Sequence, residues 1–188
     1  MIFASYNEGK IKEIKKILNM DIKSLNFLDY KIDINETGQT FQENAILKAK
    51  IVYNKTKIPT IADDSGLEIE CLNGFPGVKT HRFLDGSDSN RNQEILKLMK
   101  NKKNRTCYFT SCIAYFDGIN LKTFEYKLKG MIALKENINQ GFGFDSIFLY
   151  NNKYLSDMDI NEKNKINPRA FALKKLNKFL QKNIDFRN

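Results

Sequence analysis

Pro59-Thr-Ile-Ala-Asp-Asp-Ser-Gly-Leu-Glu-Ile-Glu-Cys-Leu-Asn-Gly-Phe-Pro-Gly-Val-Lys-Thr-His-Arg-Phe83 is the stretch around which the rest of the chain is ordered. Two short apolar runs, 60–62 and 67–72, flank the polar break Asp63-Asp64-Ser65-Gly66. The second run alternates, with Leu67, Ile69 and Cys71 on one face and Glu68 and Glu70 on the other, the period of a half-buried strand. Gly66 permits a sharp or left-handed turn. The pattern therefore predicts a strand end at which two adjacent carboxylates and a hydroxyl face a cleft. Adjacent acids repel each other, and a turn needs only one Asp for its local hydrogen bond. Paired acids suit a hard metal ion and an activated water. An Asx-turn with solvated charges is the competing reading of these four residues.

Upstream, residues 1–4 read as a short central strand, followed by the loop Ser5-Tyr6-Asn7-Glu8-Gly9-Lys10. A helix follows, with Ile11, Ile14, Ile17 and Leu18 on one face. Strand, Gly-containing loop and helix make a phosphate site, because the amides and dipole of a helix start favour an anion. Asn7 and Lys10 add side-chain donors, and no Walker loop is present. Residues 22–28 and 31–34 read as short strands, and 35–38 as a turn. Thr40 and Glu43 fit a capping box opening a helix that runs to about Thr56. It buries Phe41, Ala45, Ala49 and Val52 and offers Lys48 from another face. Glu36, on the loop before it, can approach Asp63 and Asp64.

Downstream, Gly74, Pro76 and Gly77 mark an irregular loop carrying Lys79, His81 and Arg82. Residues 89–100 form an amphipathic helix, and 106–116 with 120–129 a hairpin turning at Asp117-Gly118, continued by 131–134. The hairpin's aromatics read either as core and cross-strand pairs or as a base-stacking platform. In Gln140-Gly-Phe-Gly-Phe-Asp145, small residues let backbone approach a ligand, an aromatic face can stack on a base, and Asp145 can accept from a base or ribose. A bulged strand entry with buried Phe is the alternative. Asn167 suits an N-cap and Pro168 a first helical position. Arg169 opposes the dipole of that first turn, which a ligand carbonyl or phosphate beside it would explain.

The 188 residues, 41% hydrophobic, suffice for one domain with a sizeable core, and no repeat or linker divides them. No apolar run approaches a membrane span, and the opening Met1-Ile-Phe-Ala-Ser predicts no signal peptide. Three cysteines without a CxxC pair fit a reducing cytoplasm. A single histidine argues against a zinc site or a Ser-His triad, so a metal would be held by oxygen. The net charge of +9 is compatible with an anionic partner, nucleic acid or phosphorylated small molecules. Abundant Lys, Ile and Asn throughout the chain would produce the same charge without selection for binding. A non-enzymatic nucleic-acid module would need a clustered basic face, whereas here the basic residues are dispersed.

Five stretches, in order and spanning nearly the whole chain, resemble the inosine triphosphate pyrophosphatase family, the non-standard purine nucleoside triphosphate pyrophosphatases. They are residues 4–10, 36–38 with 40–49, 62–67, 141–145 and 162–164. The resemblance implies a single α/β domain over 1–188, a long twisted mixed sheet flanked by helices, and two lobes with a substrate groove between them. It also implies a cytoplasmic homodimer that needs Mg2+ and splits ITP, dITP or XTP into the monophosphate and pyrophosphate, with no nucleic-acid or membrane partner. Carried over by motif, Ser5, Tyr6, Asn7, Glu8, Gly9, Lys10, Lys48, Ser65 and Lys163 would hold the triphosphate. Glu36 and Asp64 would bind Mg2+, with Glu43 and Asp63 in support, and Asp64 would be the general base. Phe142, Gly143, Phe144 and Asp145 would enclose the base, and Arg169 would read its edge. Two departures stand out: Phe144-Asp145-Ser146 replaces the family's Tyr-Asp-Pro, and Asn167-Pro168-Arg169 its Ser-His-Arg. Pro168 offers no hydrogen-bond donor, which touches base discrimination rather than phosphate chemistry.

Overall fold

The computed structural model describes residues 1–18, 20–80, 82–137 and 143–185. Seven strands form one mixed sheet in the order β2-β1-β3-β4-β5-β6-β7. They are β1 (Ile2–Phe3), β2 (Lys23–Ser24), β3 (Thr60–Ile69), β4 (Thr106–Phe116), β5 (Leu121–Ile132), β6 (Phe148–Tyr150) and β7 (Lys153–Tyr154). The helices are α1 (Glu8–Leu18), α2 (Phe41–Thr56), α3 (Asp88–Leu98), α4 (Ile160–Ile166) and α5 (Pro168–Asp185). β1 is parallel to both β2 and β3, and β6 is antiparallel to β5 and β7. No helix among the described residues is long and apolar enough to cross a membrane.

The chain divides into two compact units, one of residues 1–65, 111–126 and the segment from Pro168 onward, the other of 66–110 and 127–167. In the first, α1 contributes Ile11, Ile14 and Leu18, and α5 contributes Ala172, Leu173, Leu176 and Leu180. Both sets follow a single stripe of a 3.6-residue period, and they close over Phe3, Ile61 and Ile113 of the sheet. Each fully buried Ile or Leu there contributes about 1.5–3 kcal/mol. The aromatics of the hairpin in this unit are spent on packing. Tyr126 stacks on Phe171 at 4.5 Å, Tyr115 and Phe124 lie against Phe179 at 5.9 Å, and Phe116 meets Tyr53 edge-on at 5.0 Å. The second unit packs Leu67, Ile69, Ile95, Met99, Leu128, Ile132 and Phe148 into its own core.

The element pattern read from the sequence holds for α1, α2, α3, the hairpin and α5. Thr40 caps α2, taking the Glu43 amide on its hydroxyl while the Glu43 carboxylate takes the amides of Gln39 and Thr40. Pro168 is the first residue of α5. Three expectations are corrected. Of 22–28 only Lys23 and Ser24 pair in the sheet, and the chain then tightens into a 3-10 turn over Leu25–Phe27. Residues 31–34 form no strand; Ile32 is instead tied through both its amide and its carbonyl to the Tyr6 hydroxyl. The apparent break at Asp63-Asp64-Ser65-Gly66 is no break at all: β3 runs unbroken for 10 residues, and the strand ends where Glu70–Leu72 form a 3-10 turn. A strand lying between β1 and β4 is buried on both faces, so polar residues within it mark partners rather than an end.

Candidate active site

Asp63 and Asp64 are successive residues of a strand, so their side chains leave on opposite faces, and each meets a different set of partners. Asp63, fully buried, accepts from Lys10 Nζ at 2.6 Å and from the Ser111 hydroxyl at 2.9 Å. Arg169 Nε lies 3.3 Å from the same carboxylate. Burial alone would raise the pKa of Asp63, but the charges of Arg169 and Lys10 dominate and hold it well below the usual carboxylate range. The guanidinium of Arg169 also donates to Glu13 at 2.7 Å and to Ser65 Oγ at 3.1 Å. Burial works against the arginine's charge, but Asp63 and Glu13 outweigh it and hold its pKa above the ordinary value.

Asp64 faces α2. Lys48 Nζ sits 2.7 Å from Asp64 Oδ1 and 2.7 Å from Glu36 Oε1, and Asn44 Nδ2 reaches Asp64 Oδ2 at 3.2 Å. Burial raises the pKa of Asp64, the Glu36 carboxylate adds to that, and together they outweigh the pull of Lys48 and Asn44. Burial opposes the charge on Lys48, but Asp64 and Glu36 overcome it and hold the ammonium above its usual range. Two adjacent acids thus titrate in opposite directions. Such a divergence separates a carboxylate held in its charged form from one that takes up a proton more readily than an ordinary aspartate.

The first unit therefore brings together Lys10, Glu36, Lys48, Asp63, Asp64, Ser65 and Arg169. Ser5, Tyr6, Asn7 and Glu8 build the approach to α1. Asn7 Oδ1 accepts the Lys10 amide at 3.0 Å, Ser5 Oγ the Asn7 amide at 3.1 Å, and Glu8 the Asn26 side chain at 2.6 Å. Gly9 is the second residue of α1. Glu43 spends its Oε2 on the α2 cap. The second unit pairs Lys163 with Asp145 at 2.8 Å, as Lys163 lies on α4, whose start Asp159 and Glu162 close with a second capping box. Gly143 adopts a positive φ of 63° and donates its amide to Asp88. Phe144 is only 4% exposed and packs near Phe109, so its ring belongs to the core. Phe142 and His81 lie outside the described residues.

Asn44, Ser111 and Glu13 take part in these contacts without a role assigned to them from the sequence. For Asn44 a signal existed: it stands four residues before Lys48 on a helix otherwise lined with Phe41, Ala45 and Ala49, and a buried amide one turn from a buried ammonium calls for a partner. Ser111 and Glu13 carried none, because their partners are 48 and 156 residues away.

The fold is of the α/β class, a mixed sheet flanked by helices, with the acids of an interior strand held by lysine and arginine. Within that class the chain belongs to the Ham1 family, whose sequence model matches residues 1–179. It is 45% identical over 197 residues to a dITP/XTP pyrophosphatase of Borreliella burgdorferi (strain ZS7), covering 98% of this chain and 97% of that one. It is 41% identical over 190 residues to a dITP/XTP pyrophosphatase of Bacillus subtilis (strain 168), with 96% of each covered. The Staphylococcus aureus Ham1 protein superposes with a TM-score of 0.91 at 32% identity, covering 97% of this chain and 98% of that one.

Proposed function

We propose that this protein hydrolyses non-standard purine nucleoside triphosphates (ITP, dITP and XTP) to the monophosphate and pyrophosphate. The observation that carries the reading is the acid pair of β3, Asp64 sharing Lys48 with Glu36 on one face and Asp63 held by Lys10 and Arg169 on the other, set beside relatives named dITP/XTP pyrophosphatases. Asp64, buried and with a raised pKa, is the group able to accept a proton from water. Asp63, permanently charged, holds Lys10 and Arg169 on the other face of β3.

A divalent ion fits the acids facing α2. Glu36 Oε1 and Asp64 Oδ1 each approach a single ammonium to 2.7 Å, so their oxygens already converge on one point of positive charge. Both are hard oxygen donors, the set that Mg2+ takes, usually with one or two carboxylates and the rest water or phosphate oxygen. No group of three or more acidic, His or Cys side chains gathers at one point among the described residues, which leaves those other positions to water and substrate. Glu36 and Asp64 would hold the ion; both oxygens of Asp63 are engaged by Lys10 and Ser111, and Oε2 of Glu43 by the α2 cap. When bound, the ion supplies charge neutralisation on the phosphate oxygens.

The steps assigned to the chain's own residues follow. Lys10 and the start of α1 bind the triphosphate through charge and backbone amides. Asp64 takes the proton of the water whose oxygen attacks the α-phosphorus. The bond between that phosphorus and the bridging oxygen breaks, and its electron pair leaves with pyrophosphate. Lys48, held protonated, stays as the counter-charge beside the acid that has to receive the proton. Lys163 and Asp145, paired in the second unit, would serve phosphate and base, and a homodimer is expected. Because the Phe144 ring is in the core, Asp145 and backbone groups are what residues 143–145 can present to a base. The test is 31P NMR of ITP, XTP, ATP and GTP incubated with the protein and Mg2+. Pyrophosphate and monophosphate are expected, with ITP and XTP consumed fastest; orthophosphate with a diphosphate would overturn the reading.

A further inference from the structure

Asn44 is fully buried and bridges two elements of the site. Its Nδ2 donates to Asp64 Oδ2 at 3.2 Å, and its Oδ1 accepts the backbone amide of Gly38 at 2.8 Å. The amide's orientation follows from its partners, since a backbone N–H can only donate and an ionised carboxylate can only accept. Asn44 and Lys48 stand one turn apart on α2, so one helix face grips both oxygens of Asp64, Lys48 on Oδ1 and Asn44 on Oδ2. The carboxylate cannot rotate without breaking one of these bonds. At its other end, Asn44 ties down Gly38, two residues after Glu36, and thereby the loop that carries the second acid. The loop has no room for a larger residue there: a Cβ on Gly38 would come within 2.6 Å of Asn44 Oδ1, 2.7 Å of Glu43 Cβ and 2.9 Å of the Asn44 backbone nitrogen.

We infer that Asn44 is a positioning residue whose amide fixes the Asp64 carboxylate and anchors the Glu36 loop, so that both acids face one cation site. The inference rests on the reading of Glu36 and Asp64 as the acids that hold the divalent ion. Asn44 reaches no reacting atom itself; it acts through Asp64 and Gly38. Outer groups of this kind typically carry 10- to 100-fold in metal affinity or activity.

The experiment measures Mn2+ binding without nucleotide, from the electron paramagnetic resonance signal of the free ion, for wild type, Asn44→Ala, Gly38→Ala and the double variant. Steady-state kinetics with ITP run beside it, and circular dichroism confirms folding. Asn44→Ala should weaken Mn2+ binding about 10- to 100-fold and lower kcat by a similar factor, with KM for ITP within about threefold. Gly38→Ala should do the same to a smaller degree, and it remains decisive if Asn44→Ala fails to fold, because it strips no buried polar group. The double variant should lose less than the sum of the two single losses, since both substitutions break the Gly38–Asn44 hydrogen bond. Mn2+ binding in folded variants equal to that of wild type, additive losses in the double variant, or no Mn2+ binding by wild type would each overturn the inference. The titration needs no turnover, so a wild type that binds Mn2+ but releases no pyrophosphate from ITP would sink the proposed function while leaving the role of Asn44 to be decided.

Discussion

Asp63 and Asp64 are neighbours in the chain and opposites in environment. The face of β3 that carries Asp63 is a closed ionic cluster: its side chain has no exposure, and its charge is matched by Lys10, Arg169 and a serine hydroxyl. The face that carries Asp64 is looser, with 12% of the side chain exposed and one ammonium shared between two acids. One carboxylate is a fixed anion that organises cations; the other is an acid still able to change its protonation state. Reactivity at this site comes from incomplete compensation of charge, and stability from complete compensation.

The comparison breaks most visibly if Asp64→Asn stays active. The amide keeps the shape but cannot take a proton, so kcat should fall about 10²- to 10⁴-fold, measured as pyrophosphate release. Unfolding by urea should show little loss, because the variant removes a buried charge that burial already disfavours. Retention of more than about a tenth of kcat, a difference under 1.4 kcal/mol, would remove Asp64 as the base.

Asp63→Asn should do the reverse. Lys10 and Arg169 would keep their charge without its main counterpart, at a cost of about 3–5 kcal/mol in unfolding free energy. Stability equal to wild type would show that the cluster is not closed as described.

The third test separates the two acids by pH. Asp64 must be ionised to act and its pKa is raised, so the acid limb of kcat/KM should lie above the ordinary aspartate value of about 3.9, with activity rising as pH rises through it. Asp63 has a lowered pKa, so its contribution to stability is present above the unfolded value and is lost as pH falls below about 4. Acid should therefore silence the enzyme before it unfolds the protein. Coincident transitions in a pH series of activity and circular dichroism would contradict that order.

A finer probe is Ser111→Ala, which removes one of the hydrogen bonds to the buried Asp63 carboxylate. Hydrogen bonds to charged groups contribute about 1.5–3 kcal/mol, so the urea midpoint should drop while kcat changes by less than about threefold. The smallest effect is expected at Pro168. If the base edge is read at the start of α5, Pro168→His supplies a missing donor of about 0.5–1.5 kcal/mol, and the ratio of kcat/KM for ITP over ATP should rise about 2- to 10-fold. A flat or falling ratio in a folded variant would place base reading elsewhere, in Asp145 and neighbouring backbone.

Much of the fold was legible because its signals are local. The capping box at Thr40 and Glu43 located the start of α2, Asp117-Gly118 located the hairpin turn, and Pro168 the start of α5; each works within a few residues through hydrogen bonds or fixed backbone angles. The misreadings arose where distant partners overrode a local preference. Adjacent acids look like a turn until lysines from two other helices neutralise them, and Tyr6 holds residues near Ile32 out of the sheet by binding their backbone.

What the sequence by itself determined is the chemistry in stock: an acid pair on a strand, a lysine one turn from an asparagine on a capped helix, and a lysine at the start of another. Along a continuous strand from Thr60 to Ile69, period two alone puts Asp63 and Asp64 on opposite faces. Only the tertiary structure decided which face receives which cation. Lys10 reaches Asp63 across 53 positions and Arg169 reaches Ser65 across 104, while Lys48 turns to Asp64 and Glu36. A carboxylate's pKa is set by the charges within a few ångströms and by how much water remains, and both are properties of packing that no local run of residues encodes.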